Sequence, residues 1–191
     1  MKNIYIGLFL FFILLSHALT DEITFEISKN WNQIKSMSGT FQQTDLEGNV
    51  VSGKFYFLKP YQSKFEYDNQ PENIITNESL LRIVNSEGYQ IDSYPIGNNI
   101  IKKILSHEIN INEVFDIRDI KDNSEFYELD LFIDREDETG RAILYFDKNT
   151  LDLKKWELID EFENKTVLEF TNIKKNIFIS ENLFVVKYKQ N

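Results

Sequence analysis

Two histidines, His17 and His107, and no cysteine are all that the chain brings to the commonest nucleophilic and metal-assisted chemistries. A Cys/His pair cannot be assembled, and a zinc set built from cysteine and histidine lacks ligands. No Gly-x-Ser-x-Gly turn occurs to hold up a serine nucleophile. The densest group of carboxylates is DREDETG, Asp134 to Gly140, where a calcium loop or a carboxylate pair for glycoside cleavage would have to lie. It lacks the alternate-position ligands of a calcium loop and reads as a charged hairpin tip. His107 reads as a solvated or capping residue, and phosphate-binding loops are missing too. No metal, no cofactor and no enzymatic activity are expected.

What the sequence does concentrate is aromatic surface. GKFYFLKPYQSKFEY, Gly53 to Tyr67, holds six rings in fifteen residues, interrupted by Lys54, Lys59, Pro60 and Lys64. Rings at alternate positions of a strand share one face. Such a face holds hydrocarbon by burial alone, without any reactive group. Ordinary core packing produces the same alternation, so the elements around the rings decide between a core and a bowl.

Ile23, Ile27, Trp31 and Ile34 recur at helical spacing and predict an amphipathic helix over Asp21 to Lys35. The period then changes to two. Phe41 lies in one alternating run, Val51 to Lys59 in the next, and Phe65 and Tyr67 in a third. Further strands are expected over Asn73 to Asn77, Leu80 to Asn85, Tyr89 to Tyr94, Phe115 to Ile120, Phe126 to Asp134, Arg141 to Asp147, Leu153 to Asp160 and Thr166 to Ile173. Between Pro95 and Asn112 the helical period returns, with Ile100, Ile101, Ile104 and Leu105 forming a narrow apolar stripe beside Lys102 and Lys103. About eleven strands with helices in two places predict a mainly β protein with a few helices, a large and strongly curved antiparallel sheet. A helix with a slim apolar stripe resting over a greasy bowl is a lid.

Lys2, the apolar run Ile4 to Leu15 and the small residues around Ala18 read as a secretory leader over residues 1–18, leaving a single domain over 19–191. The run falls short of the roughly twenty apolar residues that span a bilayer. With Lys2 gone, 20 basic groups face 31 acidic ones, a net −11. That charge repels phosphate backbones, so nucleic acid is excluded as a partner. A cysteine-free exported chain has no disulfide staples and no lipid-bearing cysteine of its own.

Met37 to Pro71, MSGTFQQTDLEGNVVSGKFYFLKPYQSKFEYDNQP, resembles the opening of the periplasmic lipoprotein carriers of the LolA family. Its marks are a small residue before Phe-x-Gln, Ser-Gly before an aromatic strand, Lys-Pro, then an aromatic-x-Tyr. Ala142 to Asn176 is similar to the family's second half, with a Phe-Asp turn, a Leu-x-x-Trp strand and a Thr-containing strand, and SENLFVV to its closing segment. The resemblance implies a half-open barrel of about eleven antiparallel strands, an α-helical lid and a hydrophobic cavity. It also implies a job in the periplasm of a Gram-negative bacterium. Acylated lipoproteins would be taken as cargo from an inner-membrane ABC transporter of the LolCDE type and passed to a LolB-type outer-membrane receptor, with the carrier a monomer. A general periplasmic lipid or lipoprotein binder or sensor is the alternative the same fold allows. In the family an arginine before the proline of the second strand latches the lid; Lys59 stands there, a flexible point charge in place of a planar fork.

These readings assign the cavity wall to Phe41, Phe55, Phe57, Phe65, Tyr67, Leu81, Ile83, Ile91, Leu144, Phe146 and Trp156, the lid to Ile100, Ile101, Ile104 and Leu105, and the latch to Lys59. A slip of one residue in any strand turns its assignments outward.

Overall fold

The structure is a computed structural model that describes residues 21–77, 79–95, 100–135, 138–160 and 162–188. The expected leader, residues 1–18, lies outside the described residues. Helix α1 occupies residues 21–33. Six strands follow: β1 (Ser36–Thr44), β2 (Val50–Leu58), β3 (Gln62–Tyr67), β4 (Glu72–Asn77), β5 (Leu80–Asn85) and β6 (Gln90–Pro95). Two short helices, α2 (Ile100–Ile104) and α3 (Ile111–Val114), lead to β7 (Asp116–Asp122), β8 (Phe126–Arg135), β9 (Glu138–Asp147), β10 (Leu153–Ile159) and β11 (Lys165–Lys175), and a 3-10 turn covers Glu181–Phe184.

All eleven strands form one antiparallel sheet in the order β6-β5-β4-β3-β2-β1-β11-β10-β9-β8-β7. The sheet is strongly curved and not closed. β6 and β7 are its two edges, and β1 joins the halves by pairing with both β2 and β11. Cross-strand rows show which side faces in. Phe55 stands opposite Phe65, Phe65 opposite Ile74, and Ile74 opposite Ile83. On the other half Leu129, Leu144, Trp156 and Leu168 follow one another across β8 to β11, and the row continues to Gln43 on β1. Residues directly opposite share a face, so each row is a strip of the concave surface.

α1 packs Ile27, Trp31 and Ile34 into the same buried cluster as these rows, joined by Ile100, Ile104, Leu105, Ile111 and Phe115 from the crossing segment between the sheet edges. The convex side of β2 to β5 has a small core of its own, Ile75, Val84 and Phe184, where the C-terminal segment lies against the sheet. Lys187 fastens that segment to the β5–β6 turn, its carbonyl accepting from Gln90 N and its N–H donating to Gly88 O, each at 2.9 Å.

The single helical stretch expected between Pro95 and Asn112 is divided. Asn32 of α1 donates from Nδ2 to Ile109 O and accepts at Oδ1 from Ile109 N, both at 2.9 Å. These bonds satisfy the backbone that a continuous helix would have paired with itself, and the chain turns at Ser106 to Asn110 instead.

Candidate functional site

The concave floor is a cluster of rings. Phe41 meets Phe65 and Tyr67 edge-on at 5.3 and 5.2 Å, Phe55 meets Phe170 at 4.8 Å, Phe57 stacks on Trp156 at 5.8 Å, and Trp156 meets Phe170 at 5.0 Å. Aromatic pairs in these geometries add about 0.5–1.5 kcal/mol each to what burial gives. Gly53 makes the floor possible on one side: a Cβ there would stand 2.8 Å from the Phe41 ring and 2.0 Å from Glu66 O. Strand alternation sets the rings on one face, and the glycine opposite lets a ring lie down against the backbone.

Of the residues assigned to the wall, Phe41, Phe55, Phe57, Phe65, Leu144, Phe146 and Trp156 meet in this one buried cluster, with Tyr67 packed against it. Ile83 lies half-buried in the inward row beside Ile74, and Leu81 stands half-buried opposite Thr76 and Tyr94. Ile91 does not join them: it is 57% exposed. Ile83 pairs with Asp92 and Val84 with Gln90, so Ile91 is the extra residue of a β-bulge. The bulge breaks the alternation on which its inward assignment rested. Phe170, absent from that assignment, sits at the centre of the ring cluster. Its pairing with Phe41 across β1 and β11 places it there, and the alternation of Leu168 with Phe170 in the sequence already carried that signal. Met37 and Leu168 belong to the cluster as well.

α2 lies over this floor. Ile100, Ile104 and Leu105 are buried and Ile101 partly so. The helix seats against β9 at Gly140, where a Cβ would come within 3.2 Å of Ile100. At its other end three hydrogen bonds tie it down in series. The Trp31 indole Nε1 donates to Ile104 O at 2.7 Å, Tyr61 N donates to Leu105 O at 2.8 Å, and Lys59 Nζ donates to Trp31 O at 2.8 Å. The same ammonium stands 4.6 Å over the Trp31 ring. Lys59 therefore grips the last turn of α1, where exposed carbonyls favour a cation, and the link onward to α2 is Trp31. Burial, and secondly the neighbouring Lys35, hold the Lys59 amine down to about 7.

Beneath the helices little space is left among the described residues. Two voids there measure about 10 Å³ each, one among Trp31, Ile104, Phe115 and Leu153, the other among Trp31, Met37, Phe57 and Leu105. Toward the rim it opens. A cavity of about 780 Å³ lies between α2 and the β8 to β11 wall, bounded by Ile100, Ile101, Ile133, Leu158 and Thr166 and rimmed by charged groups including Arg118 and Glu163. A second, of about 340 Å³, lies over Val51, Ile74 and Ile83. There Tyr67 donates its hydroxyl to Gln43 Oε1 at 2.8 Å. Both volumes fall in or near the range of about 300–1,000 Å³ usual for ligand pockets. His107 is exposed, 4.0 Å from Glu108.

The family profile described as outer membrane lipoprotein carrier protein LolA matches residues 32–187, which takes in the rings, the lid and the closing segment. The chain belongs to the LolA family. Members of this family are carrier and binding proteins of the Gram-negative periplasm, and lipoprotein binding is the coarse function that membership brings. An uncharacterized protein of Rickettsia prowazekii is 23% identical over 155 residues, which are 81% of this chain and 71% of that one. A DUF1329 family protein from Desulfovibrio piger shares the fold with a TM-score of 0.50 at 11% identity, over 86% of this chain and 96% of that one. A LolA superfamily protein from Nitrosomonas europaea has a TM-score of 0.42 at 10% identity, over 84% and 96% of the two chains. Among the described residues of this LolA-family protein, no helix is long and apolar enough to cross a membrane.

Proposed function

We propose that this protein carries lipoproteins across the periplasm by enclosing their acyl chains, taking them from an inner-membrane ABC transporter of the LolCDE type and passing them to a LolB-type receptor. The leader read over residues 1–18 would bring it to that compartment. The observation that carries the reading is the lid: a five-residue helix with two buried isoleucines, laid over an aromatic floor and tied at one end.

The cargo's chemistry sets the requirement. At about 0.8 kcal/mol per methylene, a sixteen-carbon chain leaving a membrane for water costs roughly 12 kcal/mol. Three chains cost about 35, beyond the strongest non-covalent affinities known. The carrier has to recover much of that and still let go. The floor beneath α2 is filled by the protein's own side chains, so lid and cargo compete for the same apolar surface. Isoleucines from the lid hold the floor when it is empty, and hydrocarbon holds it when the lid is lifted. The rim cavities give chains a place to enter before the lid moves.

The test is replacement of the resident LolA in a depleted Gram-negative cell, together with identification of what co-purifies. Delivery of lipoproteins to the outer membrane, with acylated lipoprotein bound, supports the carrier. Bound free lipid without delivery supports the general lipid binder instead. A purified protein that takes up no fluorescent acyl probe overturns both.

A further inference from the structure

The chain has two tryptophans, and both lie in the covered bowl. Their indole N–H groups are in opposite states. That of Trp31 is bonded to Ile104 O at 2.7 Å. That of Trp156, on a side chain only 1% exposed, is buried and has no hydrogen-bond partner among the described residues. A buried donor left unpaired costs about 1–3 kcal/mol. Tryptophan is usually placed where its N–H can reach a partner, and a phenylalanine would fill much of the same ring cluster without the cost.

Place and surroundings suggest what the donor is for. Trp156 lies on the inward face of β10, two residues from Leu158, which lines the 780 Å³ cavity. Its neighbours are rings: Phe57, Phe65 and Phe170 lie 5.8, 6.4 and 5.0 Å away. A ligand entering from that cavity would first pass its charged rim and then, at the ring cluster around Trp156, meet an apolar surface with one unpaired donor in it. Pure hydrocarbon satisfies the surface and leaves the donor unpaired. An acyl chain attached through an ester or amide brings a carbonyl oxygen at its head, the acceptor that the indole lacks.

We infer that Trp156 Nε1 is a recognition point for the ester or amide carbonyl of an acylated ligand, so that the bowl reads the linkage of the chains as well as their length. This rests on the carrier reading above. It adds that the two indoles exchange roles on loading: Trp156 gains a carbonyl as Trp31, with the lid lifting, loses its own.

Two probes of equal chain length separate these claims, a dipalmitoyl-glyceryl cysteine peptide and its dialkyl ether analogue, which has no chain carbonyls. Each is titrated against the full chain labelled with ¹⁵N at the indoles, where Trp31→Phe assigns the two signals. The ester probe should bind about three- to tenfold more tightly than the ether, the value of one net hydrogen bond. It should move the Trp156 N–H signal toward the hydrogen-bonded range, while both probes move the Trp31 signal the other way. Trp156→Phe should bring the two affinities together, whatever it does to their common level. Equal affinities in the wild type, or a Trp156 signal that responds alike to both probes, would overturn the recognition point and leave the carrier standing. Binding of neither probe would remove the carrier, and the recognition point with it.

Discussion

The covered end and the open rim of the bowl are built from the same strands with the same alternation, yet one is filled and the other hollow. At the covered end Trp31, Ile104, Leu105 and Phe57 close the space to voids of about 10 Å³. At the rim the same sheet borders cavities of about 780 and 340 Å³. The charges divide as well. Hairpin turns at the rim carry Asp45, Glu47, Asp160 and Glu163, whereas Lys35 and Lys59 stand beside the end of α1. Sheet geometry alone therefore does not make a cavity. What fills the covered end is the side chains of α1 and of the last turn of α2, whereas the first turn of α2 only borders the larger cavity.

The sharpest way to break this contrast is to hollow the covered end. Phe57→Ala removes a ring packed on four others and should cost about 3–5 kcal/mol in chemical denaturation; a cost under 1 would mean that the floor is already loose. Next in size, Ile104→Asp should cost about 2–3 kcal/mol, close to the burial of one isoleucine, because a charged lid can swing out to water. It should also raise binding of a fluorescent acyl probe. Unchanged probe binding would show that α2 does not compete with the ligand.

A smaller effect concerns pH. The Lys59 amine is lowered from 10.5 to about 7 by burial and by Lys35. The folded value lies below the unfolded one, so between pH 7 and about 10 the unfolded chain holds the extra proton. Stability should rise across that window by at most about 1.4 kcal/mol per pH unit, and this group should add no slope below it. Lys59→Met should flatten that rise in a series of denaturation midpoints; a rise equal in both proteins would assign it to other groups. Smallest of all, Leu46→Ser and Phe162→Ser at the exposed rim turns should stay within about 0.5 kcal/mol of wild type. A larger loss at either would place part of the fold's stability where the contrast says there is none.

Period carries most of the fold, because a strand with one buried face must alternate and a helix cannot. The runs around Phe55, Leu144 and Trp156 show it, and so does the apolar stripe of Ile100 and Ile104. What escaped the sequence depends on partners far along the chain. Ile91 alternates correctly on its own and is turned out by a bulge set by its pairing with β5. The helical stretch after Pro95 is interrupted where Ile109 bonds Asn32, 77 residues earlier than Ile109. Trp31 reads as one more apolar position of α1, and its bond to Ile104, 73 residues away, makes it the tie between two helices. Lys59 was legible as a cation near the lid, but which carbonyl it grips was not.

The seam between β1 and β11 brings Thr40 against Thr171, 131 positions later. A polypeptide emerging N-terminus first can zip up β1 through β6 by short turns, but the partner for the other edge of β1 arrives almost last. Closing so long a loop is entropically slow, and until it closes an unpaired strand edge and half an aromatic floor face the solvent. The nascent protein thus passes through a stage in which it displays the kind of sticky surface that it covers when mature. Anything that stalls or clips the chain before residue 165 would leave it in that stage.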